Sequence, residues 1–240
     1  MRHFRLNWLD ILIVVSILAL LVAIIVPSMG RAREGSRSIC EMNLRSLGIT
    51  FKMYATDYGG HWPASNATLE SLCQQTAETR DALVARMGGN GTRSPASTQR
   101  VFYCPANTDQ NRTNLWDHDG ISTWGYVLLN DRGPAGTLLP TTFPAHKSPL
   151  HYVCNPAKEK SPSQTIFALD TIVSDTATAP LNFAPKGPSV EFPSNHLVRG
   201  QVAWVKVLFA DGHVTRNPFD PNTATPVQQP TGTYLWFPNP

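Results

Sequence analysis

The chain has 240 residues, of which 15 % are charged, and a net charge of +3 at neutral pH. No basic stripe interleaved with aromatic residues runs along it, which argues against a nucleic-acid binder. Twenty prolines and sixteen glycines imply many loops and short strands, in a chain long enough for one domain with a real core.

The first predicted element is apolar. Leu6–Val26 is interrupted early by Asp10, and within Ile11–Val26 the only polar residue among sixteen is Ser16. A bilayer-crossing helix needs about 20 apolar residues, with about 17 as the lower limit. Extending back to Leu6 reaches that length but includes Asp10, an insertion cost of about 2.5–3.5 kcal/mol. Three readings compete: a secretory signal with Arg2 and Arg5 as its basic region, a plain membrane anchor, or a helix half apolar and half amphipathic. The residues beyond Val26 favour the third. Pro27 ends the apolar run, and Cys40, Leu44, Leu47, Phe51 and Ala55 then form one stripe at helical spacing. Gly59–Gly60 supplies a stop. The prediction is a near-continuous helix of about 75 Å, from about 50 residues at 1.5 Å each.

Short helices are predicted around Thr68–Gln75 and Thr79–Met87. Strands are predicted at Val101–Tyr103, Trp124–Leu129, Ile166–Leu169, Val202–Ala210, His213–Arg216 and Thr233–Phe237. Asp211–Gly212 reads as a two-residue hairpin turn of type I′. Trp62, Trp116, Trp124, Trp204 and Trp236 read as core or subunit interface. The segment Asp117-His118-Asp119-Gly120 has the look of a metal loop, yet no acid stands at the twelfth position from Asp109 or Asp117. Calcium is retained only as a minor reading, and no cofactor or metal centre is expected. The four cysteines, Cys40, Cys73, Cys104 and Cys154, lack zinc-finger spacing and allow three full pairings. Their even number fits disulfides in an oxidising compartment. No nucleophile elbow, phosphate loop or zinc-protease motif occurs, so the chain is read as not an enzyme.

The order of these features resembles the type IV pilin and type II secretion pseudopilin superfamily, whose members pair a basic leader with an apolar helix carrying an acid and a later proline. Asp10 and Pro27 stand at that spacing. The chain is most similar to bacterial prepilin-type proteins with a C-terminal His…Asp-Gly signature, through Pro27–Pro63, Val101–Pro105, Trp124–Asn130, Ser161–Asp170 and Val207–Val214. The resemblance implies an α+β, pilin-like fold: a long N-terminal membrane-spanning helix packed on an antiparallel β-sheet domain. Residues 1–27 would be leader and assembly helix, 28–58 its amphipathic continuation, and 59–240 the exported globular domain. It implies disulfides Cys40–Cys104 and Cys73–Cys154. Asp10, Leu6, Arg5 and Pro27 would serve assembly, while His196, Asp211 and Gly212 form the signature, read here as structural. The family has Gly where Arg5 stands, so an unprocessed N-terminus is expected.

The function implied is a structural subunit of a pilus- or pseudopilus-like filament. Its partners would be copies of itself, the membrane, and secretion or pilus assembly machinery. The expected location is the inner membrane, single-pass, with the N-terminus cytoplasmic and the domain periplasmic or extracellular. The alternative is an uncleaved, bitopic anchored protein whose exported domain binds a ligand or partner.

Overall fold

The computed structural model describes residues 8–63, 72–89, 96–107, 109–110, 113–129, 162–163, 165–185, 193–228 and 232–237. Helix α1, Trp8–Asp57, opens the chain and runs through Pro27. Its two halves behave differently. From Trp8 to Ile24 the described apolar side chains are exposed, whereas Cys40, Leu44, Leu47, Phe51 and Ala55 form a buried stripe. Gly59 and Gly60, at φ 64° and 87°, turn the chain out of the helix, and the Gly60 amide donates to the Ala55 carbonyl at 2.7 Å. Positive φ is where glycine carries no Cβ penalty, so the helix stops there.

Strand β1 (Gln74–Thr76) leads directly into α2 (Ala77–Arg86). Thr76 caps α2, its hydroxyl accepting from the Thr79 amide at 3.2 Å. Arg86 ends α2 against α1, bonding the Asp57 carboxylate at 2.8 Å and lying 4.7 Å over the Tyr54 ring. Two single-turn helices come next, α3 (Ala96–Gln99), continued by a 3-10 turn over Arg100–Phe102, and α4 (Thr113–Trp116). The remaining strands are β2 (Ile121–Thr123), β3 (Tyr126–Leu128), β4 (Ile166–Asp170), β5 (Val173–Ser174), β6 (Leu197–Val198), β7 (Gln201–Val202), β8 (Trp204–Phe209), β9 (Val214–Pro218), β10 (Thr225–Gln228) and β11 (Tyr234–Phe237).

The central sheet is antiparallel with order β3-β4-β8-β9. One face carries Tyr126, Leu128, Phe167, Ala168, Leu208 and Ala210 into a core with the α1 stripe. The opposite face sends Val127, Leu129, Leu169, Val205, Val207 and Phe209 toward the sheet β10-β11-β5. A register shift between Ile166 and Ala168 puts two successive residues, Phe167 and Ala168, on the helix side. Gly48 lets α1 approach β8 closely: a Cβ there would lie 3.2 Å from both Leu208 methyls. Trp62, Trp116, Trp124, Trp204 and Trp236 are all buried.

Several expectations are corrected. The anticipated pilin-like layout was a membrane-spanning helix packed on one antiparallel sheet. Among the described residues no helix is long and apolar enough to cross a membrane, and several small antiparallel sheets stand in place of one. The charge-free run Ile11–Val26 has sixteen residues, about 24 Å of helix against a hydrocarbon core of about 30 Å. α1 meets the sheet only from Cys40 onward. The transmembrane feature and the single-pass inner-membrane location are therefore withdrawn. Of the features expected of a pilin-type protein, the Cys40–Cys104 disulfide is present.

Local elements differ too. Gln74–Thr76 is a strand paired with Ile121–Thr123 and not the end of a helix; the rest of the predicted Thr68–Gln75 helix lies mostly outside the described residues. Val101–Tyr103 is the 3-10 turn and its exit. The type I′ turn sits at Asp119–Gly120, with φ of 52° and 81° and reciprocal 2.9 Å bonds between His118 and Ile121. At Asp211–Gly212 only Gly212 has positive φ, and the Phe209 carbonyl accepts from the Gly212 amide. Asp211 stays out of the left-handed region while its carboxylate accepts from the His213 amide two residues on.

Candidate functional site

Several elements converge on one buried cluster. Asp170 closes β4 after the apolar run Ile166–Leu169, and the backbone folds His196 toward it just ahead of β6. The His196 Nε2 lies 2.9 Å from Asp170 Oδ2, and both side chains are fully buried. His196 holds a φ of 54°, a conformation uncommon for a non-glycine residue and kept only where surroundings over-determine it. Its ring packs 5.3 Å from Trp204. Its Nδ1 has no hydrogen-bond partner among the described residues.

The Asp170 carboxylate is held on both oxygens. Oδ2 also accepts from the Lys206 amide at 2.8 Å, and Oδ1 accepts from Asn195 Nδ2 at 3.2 Å. Asn195 is fixed in turn, donating to the Gly125 carbonyl and accepting from Gln110 Nε2 at 2.6 Å and Asn107 Nδ2 at 3.3 Å. Gly125 leaves the room Gln110 needs, since a Cβ there would fall 2.8 Å from Gln110 Cδ. Burying a carboxylate in this way is tolerable because both of its oxygens are met by donors. Tyr126, opposite Asp170 in register, has its phenol pushed well above the ordinary value by burial, with the Asp170 charge adding to it. The Lys206 ammonium is lowered by burial, partly offset by the charges of Asp170 and Glu41.

The sulfur side completes the cluster. Cys40 of α1 and Cys104, just beyond the 3-10 turn, are bonded, with Cα atoms 5.3 Å apart. Cys104 Sγ is 3.8 Å from His196 Nε2. Cys40, Cys104, Asp170 and His196 thus bring one donor atom each within 4.8 Å of one another, all buried. Asn43, one turn along α1, ties the same junction by donating to the Arg100 and Tyr103 carbonyls.

The other sequence-derived residues fall elsewhere. His196 and Asp211 do not pair with each other. Asp211 lies at the β8–β9 turn, where its carboxylate takes His213 Nδ1 at 2.6 Å and its carbonyl takes the Lys52 ammonium. Burial raises the Asp211 carboxyl, but the His213 amide and ring bonds and the Lys52 charge outweigh it, leaving the pKa below its ordinary 3.8. An open groove of about 520 Å³ lies there, lined by Lys52, Thr56, Gly60, Pro162 and Asp211 among others. In the segment with the look of a metal loop, Asp117 lies 3.3 Å from the buried Arg80, and His118 and Asp119 are exposed. Cys73 is buried, with Sγ 3.5 Å from Thr171 Oγ1, while Cys154 lies outside the described residues. Arg5 and Leu6 lie outside them too; Asp10 and Pro27 belong to α1, with only their backbone described.

Sequence reasoning missed Asp170, Asn195, Gln110 and Asn107. One local signal existed: an acid closing a wholly apolar strand, in Ile166–Asp170, asks for a buried partner. No family model, curated protein or solved structure matches this chain.

Proposed function

We propose that this protein is a structural subunit of a filament of the pilus or pseudopilus kind, assembling with copies of itself through the apolar part of α1. One observation carries the reading. Thirteen large apolar residues between Trp8 and Ile24 are each 47–75 % exposed. They lie on every side of the helix, since Ile11, Leu12, Ile13, Val14 and Val15 are consecutive and all exposed. A partner with a single groove covers one face of such a helix; a bundle of equivalent helices covers all of them. Covering a half-exposed Leu, Ile or Val contributes about 1 kcal/mol, from about 1.5–3 kcal/mol for full burial. Repeated head-to-tail contacts between copies extend into open helical assemblies. The spacing of Asp10 and Pro27, which resembles that of pilin-type helices, supports the same reading.

The test is a pair of charges on the exposed helix, Ile17→Arg with Leu21→Arg. Both side chains are exposed, so the globular part keeps its melting temperature. The parent should form ordered filaments by negative-stain microscopy, and the variant should remain monomeric in light scattering. A parent that stays monomeric at high concentration, or a variant that still forms filaments, refutes the reading.

A further inference from the structure

We propose that the reduced chain binds one zinc-class divalent ion between Cys40 Sγ, Cys104 Sγ, His196 Nε2 and an Asp170 carboxylate oxygen, and that forming the disulfide expels it. The four donors lie within 4.8 Å of one another and are buried. Zinc-class bonds of about 2.0–2.3 Å give tetrahedral donor–donor edges of about 3.3–3.8 Å. The edge from Cys104 Sγ to His196 Nε2 is 3.8 Å and that from Asp170 Oδ2 to the same nitrogen is 2.9 Å. The first edge is already within that range while the sulfurs are bonded, and the second must lengthen by about 0.4 Å. The sulfurs must also separate from bonded distance, and reduction lets them part. Two thiolates, an imidazole and a carboxylate are a donor set that suits a tetrahedral ion of this class.

The surroundings fix the carboxylate ligand. Asp170 is oriented by the Lys206 amide and Asn195, and Asn195 is oriented by Gln110 and Asn107. Such outer contacts are what fixes ligands around a metal. His196 is held at positive φ with its Nε2 edge toward the sulfur and the carboxylate. Two thiolates and a carboxylate around a divalent ion leave one negative charge, and the nearby cation is the buried Lys206 ammonium, which also lies 4.0 Å from Glu41. The filament reading makes no use of this cluster.

The exchange balances. One metal-bound thiolate attacks a disulfide-class oxidant to give a mixed disulfide, and the second attacks the first one's sulfur to form the Cys40–Cys104 bond, two electrons passing to the oxidant. The oxidant leaves as two thiolates and the ion is released. In the laboratory direction a phosphine reduces the bond, taking oxygen from water and leaving its two hydrogens on the two thiols. Binding the ion then releases those two protons.

The test uses the full chain, reduced with phosphine under anaerobic conditions and titrated with cobalt(II). One tetrahedral, thiolate-bound cobalt per chain is expected from its absorption spectrum. Glutathione disulfide should release one cobalt as two thiols are lost. Cys73→Ser should leave the titration unchanged, because that sulfur faces Thr171. Asn195→Ala should weaken binding about 10–100-fold. Cys40→Ala with Cys104→Ala should abolish the thiolate spectrum. If that variant does not fold, the wild-type titration and its reversal by glutathione disulfide decide alone. Folded, reduced protein that binds no cobalt, binds it without thiolate, or keeps it after the disulfide has formed overturns the proposal.

Discussion

Replacing both Cys40 and Cys104 with alanine removes a cross-link that closes a loop of 64 residues. In the chain-entropy description the denatured state regains about 2.1 + 1.5R ln n cal/mol/K, which for this loop is about 14 cal/mol/K, or about 4 kcal/mol at 25 °C. That is a large share of the 5–15 kcal/mol by which domains are typically stable. For a domain of this size each kcal/mol moves the melting temperature by about 2–4 °C. The double variant should therefore melt about 8–16 °C below the oxidised parent. The parent reduced in the presence of a chelator should fall by a similar amount, since it loses the same constraint. Circular dichroism at a wavelength reporting the helix, with all three samples at equal concentration, provides the measurement. A variant within about 2 °C of the oxidised parent would mean the bond contributes little, and the entropic reasoning fails.

Gly48→Leu should destabilise by about 1–3 kcal/mol, because the added side chain drives into Leu208 where α1 meets β8; urea unfolding checks it, and an unchanged midpoint rejects the close approach. The Asp211 carboxyl titrates below its ordinary value in the folded state, so its ionised form stabilises the fold above about pH 4, and that contribution is lost as pH falls through the lower, folded value. Asp211→Asn should flatten this part of the acid-unfolding curve while leaving the curve above it parallel to the parent's.

The buried stripe from Cys40 to Ala55 could be read from spacing alone, because helical periodicity is local and the residues that cover it need not be known. Asp-Gly is also a sound turn signal, but two such pairs occur and sequence does not rank them. Asp119–Gly120 has the short reciprocal bonding of a tight hairpin, whereas Asp211 is restrained by its own bonds to His213. Val101–Tyr103 has strand-like composition, yet Phe102 and Tyr103 are turned into the helix-side core and no described strand pairs with them. The polar cluster was the least legible part. Asp170 and Asn195 are 25 residues apart, and Gln110 is 85 from Asn195, so nothing in a local window joins them. The signature residue His196 could be singled out, but its partner could not: Asp211 shares its motif, while Asp170 shares its space.

Cys40 is the first buried side chain described along α1, and that position matters mechanically. From Trp8 to Ile39 the helix extends about 48 Å at 1.5 Å per residue. Any load that an assembled partner places on this arm reaches the domain at Cys40. Besides the apolar packing of Leu44 and Leu47, the polar fastenings described there are modest: Asn43 donates to two carbonyls, and Glu41 lies 4.0 Å from Lys206. Hydrogen bonds contribute about 1 kcal/mol each on balance, and a lever breaks them one after another from the loaded end. A covalent bond at the first contact resists such peeling; the same bond at Phe51 would leave three further turns of helix to strip first. The reduced, metal-free protein should therefore open from this end. Hydrogen exchange should accelerate over Cys40–Leu47, while Phe51–Ala55, packed among Trp62, Phe167 and Leu208, stays protected. Equal loss of protection along the whole stripe would refute the peeling picture and make the disulfide a global constraint only.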